Sequence, residues 1–258
     1  MYHPFSITQT IATAWTVLRK NFVTLIVYSI ASLMVYEAID FFNNFIFVGD
    51  DKWSQLIVVL VQMVVQAYLG LSFYKLILTL IDKEFYEFSF RDILPSLKMT
   101  FNFVVIALLY GILIAIFLFI DLLVERSLGI GLIFEILELI AIAYLSLKSI
   151  FCVCFIVDDN SNPVESLKQS FEITKDNFFK TLSIFLIIIV IMIIVLIPVI
   201  VLINLFGLDR PEYSYIFKLA FYLWFLLTFP FVQVIIMVTY RKLVYSHLDV
   251  DDDITETV

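Results

Sequence analysis

Six carboxylates lie within long apolar stretches of the sequence, where an ionisable side chain is costly and is therefore a candidate for function. They form three pairs at helical spacing: Glu37 with Asp40, Asp121 with Glu125, and Glu135 with Glu138. Residues three or four apart share one face of a helix. Neighbouring carboxylates raise one another's proton affinity. Such an acidic cluster could attract cations or relay protons.

The position of these acids also supports a simpler interpretation. All six fall toward the outer ends of the apolar stretches, where a side chain reaches the aqueous layer and needs no function to stay charged. Asp40 and Asp121 occupy the same offset from a preceding Asn-Phe pair, but the third such pair has Leu196 at that offset, so the pattern is not symmetric. Both readings stay open from the sequence alone.

The elements that would position the acids are membrane-spanning helices. The chain has 258 residues, of which 62% are hydrophobic, against about 45–50% in soluble domains. The apolar residues fall in runs long enough to cross the hydrocarbon core of a bilayer, and they lack the alternation of a membrane β-barrel. We therefore predict an all-α polytopic membrane protein with six spans, at about 22–48, 54–81, 103–124, 128–157, 178–206 and 214–240.

The Lys and Arg residues predict the orientation, because they accumulate on the cytoplasmic side of membrane proteins. One side of the predicted topology holds Arg19, Lys20, Lys75, Lys83, Arg91, Lys98, Lys148, Lys168, Lys175, Lys180, Arg241 and Lys242, and the other holds Lys52, Arg126, Arg210 and Lys218. The richer side is predicted to be cytoplasmic, which places both termini inside. We expect a multi-pass protein of the plasma membrane, in bacteria the inner membrane.

A threefold internal repeat organises the spans. Each odd-numbered span follows an amphipathic segment that ends in Asn-Phe, at Asn21-Phe22, Asn102-Phe103 and Asn177-Phe178. The apolar stripe of these segments predicts helices lying in the cytoplasmic interface, although an ordinary extension of the following span is an alternative. The candidate interfacial anchors are aromatic: Trp15, Phe22, Phe101, Phe171 and Phe178.

The repeat defines the predicted domain organisation. Residues 1–248 form a single membrane domain of three modules, at about 5–82, 88–158 and 162–246, and residues 249–258 form an acidic disordered tail. Each module is one interfacial helix followed by a transmembrane hairpin. Because two spans return the chain to the same side, the three hairpins share one orientation, which predicts a pseudo-threefold bundle.

The third segment, from Pro163 through Lys175-Asp176-Asn177 to Phe178, carries a family resemblance, and Ala14-Trp15 with Lys20-Asn21-Phe22 looks like its N-terminal counterpart. The chain resembles the bacterial six-span membrane domain that precedes some glycerophosphodiester phosphodiesterases, and the stand-alone relatives of that domain. The resemblance implies a six-span bacterial membrane protein. It implies no chemistry for this chain, because we expect no phosphodiesterase barrel after the sixth span.

Two classes of function remain. The first is a non-enzymatic scaffold, accessory or lipid-organising protein, with membrane lipid as its partner and a possible protein partner on the cytoplasmic face. The alternative is a transporter or channel for a small solute or cation that uses the acidic residues. Neither a phosphate-binding loop nor a hydrolase motif occurs, so we expect no enzyme activity and no cofactor. With a net charge of −8 the chain is not suited to nucleic acid.

Overall fold

A computed structural model of the chain describes residues 6–46, 52–82, 90–128, 131–205 and 214–244. The acidic tail at 249–258 lies outside these residues. The helices are α1 (Ile7–Lys20), α2 (Phe22–Ile46), α3 (Lys52–Asp82), α4 (Leu97–Leu128), α5 (Gly131–Ser149), α6 (Cys152–Asp158), α7 (Pro163–Asp176), α8 (Phe178–Leu205) and α9 (Ser214–Val244). A single turn of 3-10 helix occupies Phe90–Ile93.

The predicted fold class is confirmed. The described residues contain six helices that are long and apolar enough to cross a membrane, and the chain is an all-α polytopic membrane protein. Helices satisfy their own backbone hydrogen bonds, which hydrocarbon requires of any spanning segment. Pro198 and Pro230 lie inside α8 and α9 without ending them, because neighbouring groups can compensate for the backbone hydrogen bonds that a proline removes.

The chain forms two compact units. The first comprises Met1–Phe41, Leu76–Phe88 and Phe178–Val258, and the second comprises Phe42–Lys75 and Ser89–Asn177. In the first unit, α1 and α8 pack against α9. In the second unit, α7 packs against α5 and α6, and α4 packs against α5. The single domain and its threefold arrangement stay predictions.

Two of the three predicted amphipathic segments form separate helices. Both α1 and α7 are 14 residues long, and each ends at the Asn that precedes the Phe of the next span. The hydroxyl of Ser6 accepts a hydrogen bond from the Gln9 amide at the start of α1. At the start of α7, by contrast, Asn162 makes no side-chain capping bond, and its backbone carbonyl accepts from the Ser166 amide at 2.9 Å.

The second amphipathic segment differs from the prediction. Pro95 follows the short 3-10 turn, and α4 then begins at Leu97 and continues through Asn102-Phe103 into the span. Proline has no amide hydrogen and disfavours helical geometry in the residue before it, which explains why a helix that starts near Ser89 is interrupted here. Ser96 caps the new start, because its hydroxyl accepts a hydrogen bond from the Met99 amide at 3.2 Å.

The fourth span, predicted at about 128–157, is present at Phe134–Asp158, but it is not one continuous helix. It consists of α5 and α6, with a turn at Ile150-Phe151 between them. No proline or glycine lies at this break, so its cause is not local. The side chains of α7 that pack against it are described below.

Candidate functional site

Glu37, one of the six candidate acids, lies in an ion pair of the first unit. The carboxylate on α2 is 2.8 Å from the Nζ atom of Lys218 on α9, and it also accepts a hydrogen bond from the hydroxyl of Tyr222, one turn further along α9. The Lys218 ammonium lies over the Tyr222 ring, 5.3 Å from its centroid. Glu37 is therefore held by a cation and a phenol from one neighbouring helix, which fixes the carboxylate in place.

The structure places the other acids on two helices of the second unit and one of the first. Asp121 on α4 and Glu138 on α5 are half-buried, and Glu135 on α5 is exposed. The side chains of Asp40 and Glu125 lie outside the described residues. One cluster that contains all six carboxylates stays a prediction, and so does its role.

Other charged groups near the span ends are bound within their own units. The Arg241 guanidinium at the end of α9 pairs with the Asp82 carboxylate at the end of α3. Lys75 on α3 donates a hydrogen bond to the backbone carbonyl of Leu94 at 2.8 Å. In both cases the contact ties the end of a span to a neighbouring segment, which is a structural role.

The hydroxyl groups of the spans mostly return to their own helix. Those of Ser29, Thr228 and Thr239 donate to the carbonyl four residues earlier, at 2.6–2.9 Å. Three buried polar atoms have no partner among the described residues: Ser72 Oγ, Thr181 Oγ1 and Gln233 Oε1. Within the same residues no group of three His, Cys, Asp or Glu side chains is placed to hold a metal ion.

The candidate anchors are mostly exposed on the helix surface. Trp15, Phe22 and Phe101 are exposed, with Trp15 at 56%. Phe171 is at the margin of exposure, and Phe178 is half-buried against the edge of Phe179. Trp15 also contacts the ring of Phe231 on α9 edge to face, with 5.8 Å between the centroids. These aromatic rings are available to lipid, while their interfacial position stays a prediction.

The residues that pack α1 and α7 against the spans were not identified from the sequence. The buried face of α1 consists of Thr10, Ala14 and Leu18. The buried face of α7 has the same spacing of four: Ser166, Ser170 and Thr174. Small side chains allow close approach of two helices in a membrane protein. The small residues at a spacing of four are visible in the sequence and could have indicated the buried faces. The stripe of large apolar residues on the same helices is the more obvious pattern.

The face of α7 also compensates for the break in the fourth span. The Ser170 hydroxyl donates to the carbonyl of Lys148 at 2.7 Å and accepts from the Phe151 amide at 3.2 Å. Thr174 lies one turn further along and donates to the same carbonyl at 3.5 Å. A single side chain therefore bridges the last turn of α5 and the residue before α6.

The three Asn residues of the repeat have two different roles. The side-chain amides of Asn21 and Asn177 donate to the carbonyls four residues earlier, at 3.1 and 3.3 Å, and so complete the ends of α1 and α7. Asn102 instead lies inside α4, and its amide donates to the distant carbonyl of Ser161 at 3.0 Å. The first and third copies share this geometry, the second copy departs from it, and the repeat stays a prediction.

Comparison of the chain with protein-family models, curated proteins and solved structures finds no match.

Proposed function

We propose that this protein is a non-enzymatic scaffold, accessory or lipid-organising protein of the bacterial inner membrane, with both termini cytoplasmic. The observation that carries the proposal is the arrangement of α1 and α7. The buried face of α7 consists of small side chains and that of α1 of two small residues and Leu18, while large apolar side chains stay exposed, among them Trp15 on α1 and Val164 on α7. Each of these helices adds exposed apolar surface to its own unit, as a protein that organises lipid or docks a partner requires.

The polar groups of the spans support this function more than transport. A transport site needs several polar groups that converge near the midplane. The hydroxyls of Ser29, Thr228 and Thr239 are instead used by their own helices, and Glu37 is bound by Lys218 and Tyr222.

One observation favours the transport alternative. Thr181 on α8 and Gln233 on α9 each carry a buried oxygen with no partner in the described part of the chain. Both helices belong to the first unit and pack together. A small polar solute that passes along these helices could hydrogen-bond to the two oxygens, so this alternative remains the second candidate.

The decisive experiment is native mass spectrometry of the protein released gently from its own membrane. The scaffold or accessory function predicts a stoichiometric protein partner or tightly retained phospholipid. A protein that carries neither, and that conducts a solute in liposomes, would contradict the proposal and establish the alternative.

The acidic residues provide a direct test between the two functions. We expect the double variant Asp40→Asn with Asp121→Asn to fold and to retain the same partner or lipid as the unmodified protein. We also expect liposomes containing either protein to show the cation leak of protein-free liposomes, because the acids are not part of a conduction path. The measurement is cation flux with a fluorescent indicator, and a flux that the double variant abolishes would assign the acids to transport.

The orientation can be tested by labelling introduced cysteines with a membrane-impermeant maleimide in intact cells. Trp53→Cys, at the exposed start of α3, should react from outside, and Lys168→Cys, on the exposed face of α7, should react only after permeabilisation. The native Cys152 and Cys154 are buried, so the background is low. The opposite labelling pattern would reverse the proposed topology.

A further inference from the structure

Two glutamine side chains of α3 lie in the interior of a membrane span. Gln66 is exposed and Gln62, one turn earlier, is half-buried, and neither amide has a hydrogen bond within the described part of the chain. The span that contains them runs from Gln55 to Asp82. Gln66 is therefore about 16 Å from one end of the span and about 24 Å from the other, at a rise of about 1.5 Å per residue, which is too far for its side chain to reach water.

An unpaired amide at this depth is unfavourable. A polar group that leaves water without gaining a hydrogen bond is strongly disfavoured in hydrocarbon, and the backbone groups of a spanning helix are already paired with one another. Glutamine side chains in membrane spans therefore form hydrogen bonds to polar groups of other helices. Among the described residues no helix supplies such a group to Gln66, so its partner is expected in another molecule.

The two glutamines belong to a side of α3 that has room for a second helix. Val59, Gln62, Gln66 and Gly70 follow one another at steps of three and four and therefore share one side of the helix. Val59 is 58% exposed. A methyl group at Gly70 would meet nothing within 4 Å beyond the backbone of its own helix, so the space beside this glycine is open. We call these four residues the α3 face.

We propose that the α3 face binds the same face of a second copy of this chain, which makes the protein a homodimer with its twofold axis along the membrane normal. Copies that share one topology place each residue at the same depth, so Gln66 lies opposite Gln66 and Gln62 opposite Gln62. A carboxamide has both donors and an acceptor, so two identical glutamines pair through reciprocal hydrogen bonds. A twofold interface matches one surface patch with itself in this way, and Gly70 allows the two backbones to approach closely.

Other occupants fit the α3 face less well. Lipid tails offer no hydrogen bond to an amide in the interior of the span. A helix of a different protein needs one polar group at the depth of Gln66 and another at the depth of Gln62, whereas a second copy supplies both by symmetry. The dimer goes beyond the proposed function and is compatible with either candidate function, since a scaffold and a transporter can each be dimeric.

Dilution in lipid tests the dimer. The protein, labelled with one fluorophore per chain, is reconstituted in phosphatidylcholine liposomes at decreasing protein-to-lipid ratios, and photobleaching steps count the copies that stay together. Gln66→Leu should raise the dissociation constant about tenfold, because it removes two interhelical hydrogen bonds of the modest strength such bonds have in membranes. Monomeric protein throughout the dilution series, or a dimer that Gln66→Leu does not weaken, would overturn the proposal.

Two glycines provide a matched pair of variants. Gly70→Leu places a branched side chain on the α3 face and should abolish the dimer, whereas Gly111→Leu makes the same change on α4 and should leave the dimer intact. A methyl group at Gly111 also meets nothing within 4 Å beyond its own helix, so both variants are expected to fold, and circular dichroism checks that they do. Equal dimerisation of the two variants, or equal loss in both, would contradict an interface on α3.

Cysteine cross-linking in the native membrane identifies the side of α3 that forms the interface. Val59→Cys lies on the α3 face, and Ile57→Cys lies two residues away on the opposite side at a similar depth, and the two native residues are 58% and 54% exposed. Oxidation should link Val59→Cys into a disulfide-bonded dimer and leave Ile57→Cys monomeric. The native Cys152 and Cys154 are buried and should not contribute. Equal cross-linking at both positions, or a product of Val59→Cys with a different protein in place of the dimer, would overturn the assignment.

Discussion

Ser170→Ala should lower the free energy of unfolding by about 3 kcal/mol, because it leaves a buried amide and a buried carbonyl without their shared partner and each such group costs about 1–3 kcal/mol. The Ser170 hydroxyl is completely buried and bridges the Phe151 amide and the Lys148 carbonyl. Water cannot replace it easily at this position. The measurement is unfolding in mixed detergent micelles, followed by the helical signal in circular dichroism.

Ser166→Ala is the matched control for this prediction. Ser166 is equally buried and lies one turn earlier on the same face of α7. Its hydroxyl, however, donates to the carbonyl of Pro163 within the same helix at 3.0 Å, and its contact outside the helix is with the Cys152 thiol, a weak hydrogen-bonding group. We therefore expect a loss of about 1 kcal/mol. If the two variants were equally stable, the two hydrogen bonds of Ser170 at the break in the fourth span would contribute no more to stability than the hydroxyl of Ser166.

The fourth span illustrates what the sequence could not provide. The run from Leu145 to Val157 contains neither glycine nor proline, so local propensity predicts a continuous helix. The break at Ile150-Phe151 is stabilised by Ser170, which lies 19 residues beyond Phe151 on another helix. A feature that depends on a tertiary contact has no local signature, so the sequence predicted the span but not the break within it.

Where the determinant was local, the sequence was sufficient. The length and apolar character of the spans predicted the six long helices, and the Asn-Phe pairs marked the ends of α1 and α7. The second copy of the amphipathic segment was predicted incorrectly, although the reason was visible, because Pro95 interrupts it. The helix-breaking effect of proline outweighed the apolar periodicity.

The candidate site was predictable only in part. The sequence indicated Glu37 as an intramembrane acid, and the structure joins it to Lys218 across 181 residues of chain. The apolar stripe of α1 and α7 predicts which side of each helix faces lipid, and it does not identify the side that packs against the spans. The completely buried positions of the two helices are Thr10, Ala14, Ser166, Ser170 and Thr174. In hydrocarbon, the close approach of helices depends on small residues, and large apolar residues can face lipid.

Ala14→Phe tests this packing and should destabilise the protein by about 2–3 kcal/mol, the usual cost of inserting a large side chain into a well-packed contact. Ala14 is completely buried on the face of α1 between Thr10 and Leu18. A phenyl ring there has no space unless α1 moves away from the first unit. We expect faster hydrogen exchange along α1 as well as the lower unfolding midpoint.

Ala12→Phe makes the same change two residues away on the exposed side of the same helix. It should change the free energy of unfolding by no more than about 0.5 kcal/mol, as is usual for surface substitutions. Any effect on the contact of α1 with lipid should be an increase in affinity. Comparing the two variants distinguishes a helix that packs against the spans from one that lies in the interface without packing. A packed helix tolerates the ring at position 12 and not at position 14. A helix that lies in the interface without packing would instead show no difference in stability between the two positions, and that outcome would contradict the packing of α1 against α9.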